Sequence, residues 1–143
     1  MIRNEATITD REYEILSDFR FIIRRFLSFS NKKARSVGLT PRQHQCLLTI
    51  KGSGKQGGLV VGQLAEQLQI HHNSAVGLIN RLTEQQLVRR FHASDDKRKV
   101  HVILTKKGEN ILKLLTATHK EELKRIGPEM SKLLNQLTDD VNS

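Results

Sequence analysis

Two short apolar stripes at helical spacing, separated by only a few polar residues, constrain this chain more than any other feature. In the first, Val61, Leu64, Ala65 and Leu68 recur every three or four residues, which leaves Gln63, Glu66 and Gln67 wet. In the second, Ala75, Leu78, Ile79 and Leu82 repeat the pattern, with His72, Asn73, Gly77 and Asn80 on the side away from it. The first stripe predicts a helix of about two to three turns. Two helices joined by so short a link must cross steeply, and both must bury their stripes against a shared core. An ordinary helical corner satisfies the same pattern, so the next segment of the chain decides between readings.

That segment reads as a basic hairpin. Leu87, Val88, Arg89, Arg90 and Phe91 predict a strand, and Val100, Val102 and Leu104 alternate with His101 and Ile103 as a returning one. Between them, Ser94, Asp95, Asp96, Lys97, Arg98 and Lys99 contain no large apolar residue, which predicts an exposed tip. From His71 to Lys107 eight Lys and Arg residues stand against three acidic ones, a net of +5. Such a surface attracts phosphate backbones whatever the base sequence, more weakly as salt rises. A short helix pair whose second member is polar outside, leading into a basic hairpin, is the pattern of a winged helix-turn-helix.

The order LAEQL, HHNSAVGLINRL, LVRR and DDKRKVHVILTKKG resembles the MarR family of bacterial transcriptional regulators. Asp96, Lys97 and Arg98 match that family's Asp-x-Arg wing element, and Leu104, Thr105 and Gly108 match its close. LTPRQHQCLL is similar to the usual entry to the family's second helix. The chain departs from the pattern at Gln69, where the turn often has glycine, at Gly77, where a longer side chain is common, and at Asn80, which replaces a common Asp. The resemblance implies a homodimer that binds palindromic DNA, usually represses transcription, and is released by a small molecule settling between dimer helices and DNA-binding lobes. Here such a crevice would draw on Phe19, Ile23, Leu47 and Leu115, residues that serve equally as core.

The winged reading gives individual residues distinct roles. His72, Asn73 and Ser74 are expected at base edges, Asn73 being suited to adenine through its paired donor and acceptor, although helix capping explains Asn73 and Ser74 as well. Gly77 has no side chain to read a base but permits close approach. Arg81 is placed for a phosphate or a structural ion pair. Arg98 is the candidate for the minor groove, with Lys97 and Lys99 on nearby phosphates and Asp96 orienting the loop.

The flanks predict further helices. Thr9 and Glu12 form a capping-box pattern ahead of a stripe of Ile15, Leu16, Phe19, Ile22, Ile23, Phe26 and Leu27, with residues 1–8 a loose arm. Gly38 should end that helix, and Thr40, Pro41 and Gln43 should open the next, on which Leu47, Leu48 and Ile50 lie. Lys51 to Gly58, KGSGKQGG, reads as a connector, and its glycines lack the spacing of a phosphate-binding loop. Leu59 and Val60 can add a third strand to the wing. After Thr105, a helix carrying Ile111, Leu112, Leu115, Leu123 and Ile126 should stop at Gly127 and Pro128, where a last helix with Met130, Leu133, Leu134, Leu137 and Val141 begins.

The expected architecture is mainly α with a small β-hairpin wing. One domain spans 1–143, with a DNA-binding lobe at 37–108 and a helical dimerisation region at 9–36 and 109–141. Ile15, Phe19, Ile22, Leu133, Leu134 and Leu137 are the candidate dimer contacts.

Composition narrows the function. At 143 residues there is room for one core, and a net charge of +9 favours an anionic partner. No apolar run approaches a membrane span, and MIRNEATITD lacks the apolar core of a signal peptide, which suits a cytoplasmic, nucleoid-associated protein. No nucleophile and base are marked by a motif, so an enzyme is not expected, nor any cofactor. His44, Cys46 and His119 have no dependable metal spacing. The remaining alternatives are a winged-helix protein adaptor and an oxidant-responsive regulator acting through Cys46, which a buried, inert thiol would oppose.

Overall fold

A computed structural model describes residues 7–54, 57–93 and 96–139, with the side chains of residues 93, 96 and 97 outside that description. Residues 1–6 of the expected arm and the hairpin residues Ser94 and Asp95 lie outside the described residues. The elements in chain order are α1 (Asp10–Ser36), α2 (Pro41–Gly54), β1 (Leu59–Val60), α3 (Val61–Leu68), α4 (His72–Glu84), β2 (Val88–Ala93), β3 (Asp96–Leu104) and α5 (Lys106–Thr138). The mainly helical class with a small antiparallel wing is the one expected.

Local chemistry sets most boundaries. At the start of α1 the Thr9 amide donates to Glu12 Oε1 at 3.0 Å and the Glu12 amide to Thr9 Oγ1 at 3.2 Å. Thr40 and Gln43 repeat this reciprocal cap before α2, at 3.0 and 3.1 Å, with Pro41 in the first turn where its missing N–H costs nothing. Three helices end through a left-handed residue whose neighbours return bonds to the last turn. Gly38 does this after α1 (φ 82°), but Gln69 after α3 (φ 55°) and Gln86 after α4 (φ 62°) do so with side chains in place of the usual glycine.

Two expected breaks do not occur. Helix α2 continues through Lys51–Gly54, so only the rest of KGSGKQGG connects. Helix α5 runs unbroken through Pro128, and no separate last helix begins there. Proline removes one backbone bond from a helix interior. Pro128 is exposed, where water can satisfy the freed carbonyl, and the 33-residue helix carries apolar residues on both sides of it.

The chain forms two compact units, residues 31–117 and residues 1–30 with 118–143. The first contains the sheet, ordered β1-β3-β2 and antiparallel throughout, with Leu59 opposite Val102 and Val88 opposite Leu104. The anticipated third strand is therefore present. Beneath the sheet and α4 lies a core of Leu47, Ile50, Leu64, Ile79, Leu82, Val88 and Val102, each almost fully buried. Burial of one such side chain contributes roughly 1.5–3 kcal/mol. Lys51 and Glu109 pair at 2.8 Å on the surface of this unit. In the second unit Ile15 and Leu133 are buried, and His119 bonds Ser30 Oγ at 2.7 Å with the rings of Phe26 and Phe29 edge-on to it.

The close of the wing depends on one glycine. Thr105 donates its amide to the Leu87 carbonyl (3.0 Å) and its hydroxyl to the Gln86 carbonyl (2.7 Å), while the Gly108 amide donates to Thr105 Oγ1 (3.1 Å). This cap draws the first turn of α5 so close that a Cβ on Gly108 would stand 2.1 Å from the Leu87 oxygen. Gly77, in α4, has open space where its Cβ would be. Gly108→Ala should therefore lower stability by about 3 kcal/mol through backbone displacement, and Gly77→Ala should raise it by about 1 kcal/mol through helix propensity. Urea denaturation of both variants measures the difference.

Candidate nucleic-acid interface

Helix α4 buries Ala75, Leu78, Ile79 and Leu82, which turns His72, Asn73, Ser74, Asn80 and Arg81 to solvent. Gly77 is half-buried on the same outer side. The residue before the helix is His71, extended at φ −65° and ψ 150°, and no side chain caps the first turn. Asn73 and Ser74 stand inside that turn, so they are not the N-cap residues that the capping explanation required. An exposed, uncapped helix start offers backbone N–H groups and a partial positive charge to an anion. Arg81 lies in the last turn, where a cation complements the opposite end of the helix dipole.

The wing differs from expectation in extent. Strand β3 begins at Asp96, and the ladder runs from Val88 opposite Leu104 to Ala93 opposite Asp96, with an irregularity between His92 and Ala93. Asp96, Lys97, Arg98 and Lys99 are thus strand residues rather than an irregular tip. The sequence could not show this, because alternation is visible only where one face is apolar, and the ladder outruns the core here. Arg98 and Lys99 are exposed, while the side chains of Asp96 and Lys97 lie outside those described.

Between α4 and the wing lies a cleft of about 360 Å³. Its lining includes Val61, Val76, Ile79 and Val100 together with His72, Arg90, Arg98 and Lys99. The structure therefore brings together His72, Arg98 and Lys99 as expected, and adds Arg90, which the strand pattern alone does not set apart. Alternation shows only that Arg90, two residues from the buried Val88, shares its side of β2; its company in the cleft comes from tertiary packing. Its Nη2 donates to Asn80 Oδ1 of α4. On the opposite face of the wing, Phe91 stacks on His101 with centroids 5.3 Å apart, and the Arg89 guanidinium lies 5.7 Å from the Phe91 ring.

Other candidates resolve differently. Leu47 and Leu115 are packed into the core of the 31–117 unit, whereas Phe19 and Ile23 are half-buried residues of the other unit. Among the described residues no three His, Cys, Asp or Glu side chains gather into a metal-holding group, and no helix is long and apolar enough to cross a membrane. Cys46 is fully buried, and desolvation pushes its thiol from an ordinary 9.0 up to about 12. A thiol so held is the unreactive form, which argues against oxidant sensing.

Residues 37–99 match the family model described as MarR family. The chain is 31% identical over 72 residues to the HTH-type transcriptional repressor MdtR of Bacillus subtilis (strain 168), a match covering 50% of this chain and 44% of that protein. It therefore spans less than half the length of this curated relative. Among solved structures, AbsC, a MarR family transcriptional regulator from Streptomyces coelicolor, superposes with a TM-score of 0.71 at 20% identity, covering 94% of each chain. The F27L mutant of S. aureus MepR, bound to an oligodeoxyribonucleotide, superposes with a TM-score of 0.69 at 22% identity, covering 88% of this chain and 98% of that one. At these identities the superpositions establish the fold.

The Cys46 assignment has a pH signature. The unfolded thiol ionises near pH 9 and the folded one only near 12, so the stability it contributes is full below pH 9 and is lost as pH rises toward 12. The loss can reach about 4 kcal/mol. Cys46→Ala should lack this part of the alkaline decline in urea titrations from pH 8 to 11, and native Cys46 should resist a thiol reagent until the chain unfolds.

Proposed function

We propose that the chain, whose residues 37–99 match the MarR family model and whose fold is that of a winged helix-turn-helix, is a sequence-specific DNA-binding transcriptional regulator. In this reading it is a cytoplasmic homodimer that represses from a palindromic operator and is released by a small-molecule effector. The observation that carries the DNA-binding reading is the juxtaposition of an uncapped, polar-faced α4 with a cleft bearing Arg90, Arg98 and Lys99.

Helix α4 enters the major groove N-terminus first. His72, Asn73 and Ser74 meet base edges there, with Asn73 pairing its amide with an adenine. Gly77 supports close approach: nothing in the fold occupies the space of its absent side chain, so that space is available to DNA. Arg81 contacts phosphate. The wing lies along the neighbouring backbone, with Arg98 directed to the minor groove, Lys97 and Lys99 on phosphates, and Asp96 orienting the strand start.

The dimer reading is supported by exposed apolar surface in the unit of residues 1–30 and 118–143. Tyr13, Leu16, Phe21, Leu27, Leu123 and Leu134 are all exposed there. Among the residues expected at the interface, Leu134 is exposed and Phe19, Ile22 and Leu137 are half-buried, but Ile15 and Leu133 are already buried within one chain and serve its own packing. A two-fold axis holding two α4 helices about 34 Å apart would place them in successive major grooves, hence the inverted repeat. Repression is supported by the name of the MdtR relative, and effector release by the family resemblance.

Selection of duplexes from fragmented genomic DNA at near-physiological salt tests the proposal. The expected winner is an inverted repeat bound far more tightly than random duplex and weakened by Arg98→Ala. Asn73→Ala should cost roughly 1–3 kcal/mol at one base position, whereas Lys99→Ala should weaken all sequences alike and flatten the salt dependence. Gly77→Ala should bind less tightly despite its greater stability, and Leu134→Asp should sediment as a monomer with little affinity for the repeat. Uniform weak binding that vanishes with salt would rule out the operator reading.

A further inference from the structure

The contact between Arg90 and Asn80 joins the two parts of the proposed interface, and neither residue has a role in the base and phosphate contacts assigned above. Arg90 stands on β2, turned toward α4, and its guanidinium donates to the carboxamide oxygen of Asn80. Both side chains are exposed, and Arg90 lines the cleft that also holds His72, Arg98 and Lys99. A guanidinium keeps its charge at any physiological pH and carries five N–H donors in a planar fork. An unrestrained arginine beside Arg98 and Lys99 would swing away from like charge. The Asn80 carboxamide prevents this with a neutral acceptor, so Arg90 is held in place with its full charge and with donors left over.

Geometry selects the acceptor. An α-helix with its side chains is about 10–12 Å across and the major groove about 12 Å wide, so groups flanking a docked helix face the bordering phosphates rather than base edges. Arg90 flanks α4 on its wing side. We infer that Arg90 contacts a backbone phosphate along the edge of the major groove and that Asn80 is the positioning residue that aims it. This assignment rests on the DNA-binding reading above. It also gives the neutral residue at 80 a physical purpose, since a carboxylate there would hold Arg90 equally well but cancel the charge the phosphate needs.

The test is equilibrium binding of the selected duplex over a salt series for wild type, Arg90→Ala, Asn80→Ala, the double variant and Asn80→Asp, with thermal melts as a check on folding. Arg90→Ala should weaken binding about tenfold and reduce the slope of log affinity against log salt by about one. Asn80→Ala should weaken it about threefold, and the double variant should bind no worse than Arg90→Ala alone, because Asn80 acts only through Arg90. Asn80→Asp should also reduce the slope by about one. An unchanged slope in Arg90→Ala, or losses that add in the double variant, would overturn the assignment while wild-type binding leaves the DNA reading intact. Absence of salt-dependent binding by wild type would overturn both.

Discussion

The buried stripe of α4 is the constraint on which the rest of this structure depends. Ala75, Leu78, Ile79 and Leu82 fix the rotation of the helix about its own axis, because turning it would expose leucine-sized surface and open the core beneath. That single packing decision orients every outward residue of the helix. His72, Asn73, Ser74, Asn80 and Arg81 face solvent together because they are interleaved, at helical period, with residues that cannot. A polar surface able to read a ligand is thus a by-product of apolar burial on the other side of the same helix.

The wing is governed by a second packing decision. Val88, Val102 and Leu104 are buried against the helices, and their alternation carries Arg90 and Arg98 onto the side facing α4. The close approach of α5 to the Leu87 carbonyl, possible only at Gly108, anchors the hairpin at its base. Cationic groups from two strands consequently gather beside the start of a helix that is uncapped and itself partly positive. Charges of one sign crowd together only when a fold holds them, and here it holds them with buried valines and a neutral carboxamide. Their shared field suits a polyanion better than a small neutral ligand.

Much of this was legible in the sequence. Helix starts at Thr9 and Thr40 follow from reciprocal caps, which are local chemistry between residues three apart, and the stripes of α3 and α4 follow from period. The failures were also local rules, overridden by their surroundings. Pro128 normally stops a helix, yet α5 passes through it on an exposed side. Glycine normally closes a helix in the left-handed region, yet Gln69 and Gln86 do so, held by paired backbone bonds to Glu66 and Ala65 and to Thr83 and Leu82. The expected hairpin tip was too long because a strand extending past the core shows no apolar alternation.

The sequence by itself determined the winged helix-turn-helix, the polar face of α4 and the excess of positive charge, since period, capping and composition are properties of neighbouring residues. Tertiary structure alone decided that Ile15 and Leu133 belong to one chain's own packing, that Cys46 is sealed from solvent, and that Arg90 joins His72, Arg98 and Lys99 with Asn80 as its anchor. Those facts depend on which residues distant in the chain share a cavity or a contact. No local pattern carries that information, because it is created only when the buried stripes of separate elements meet.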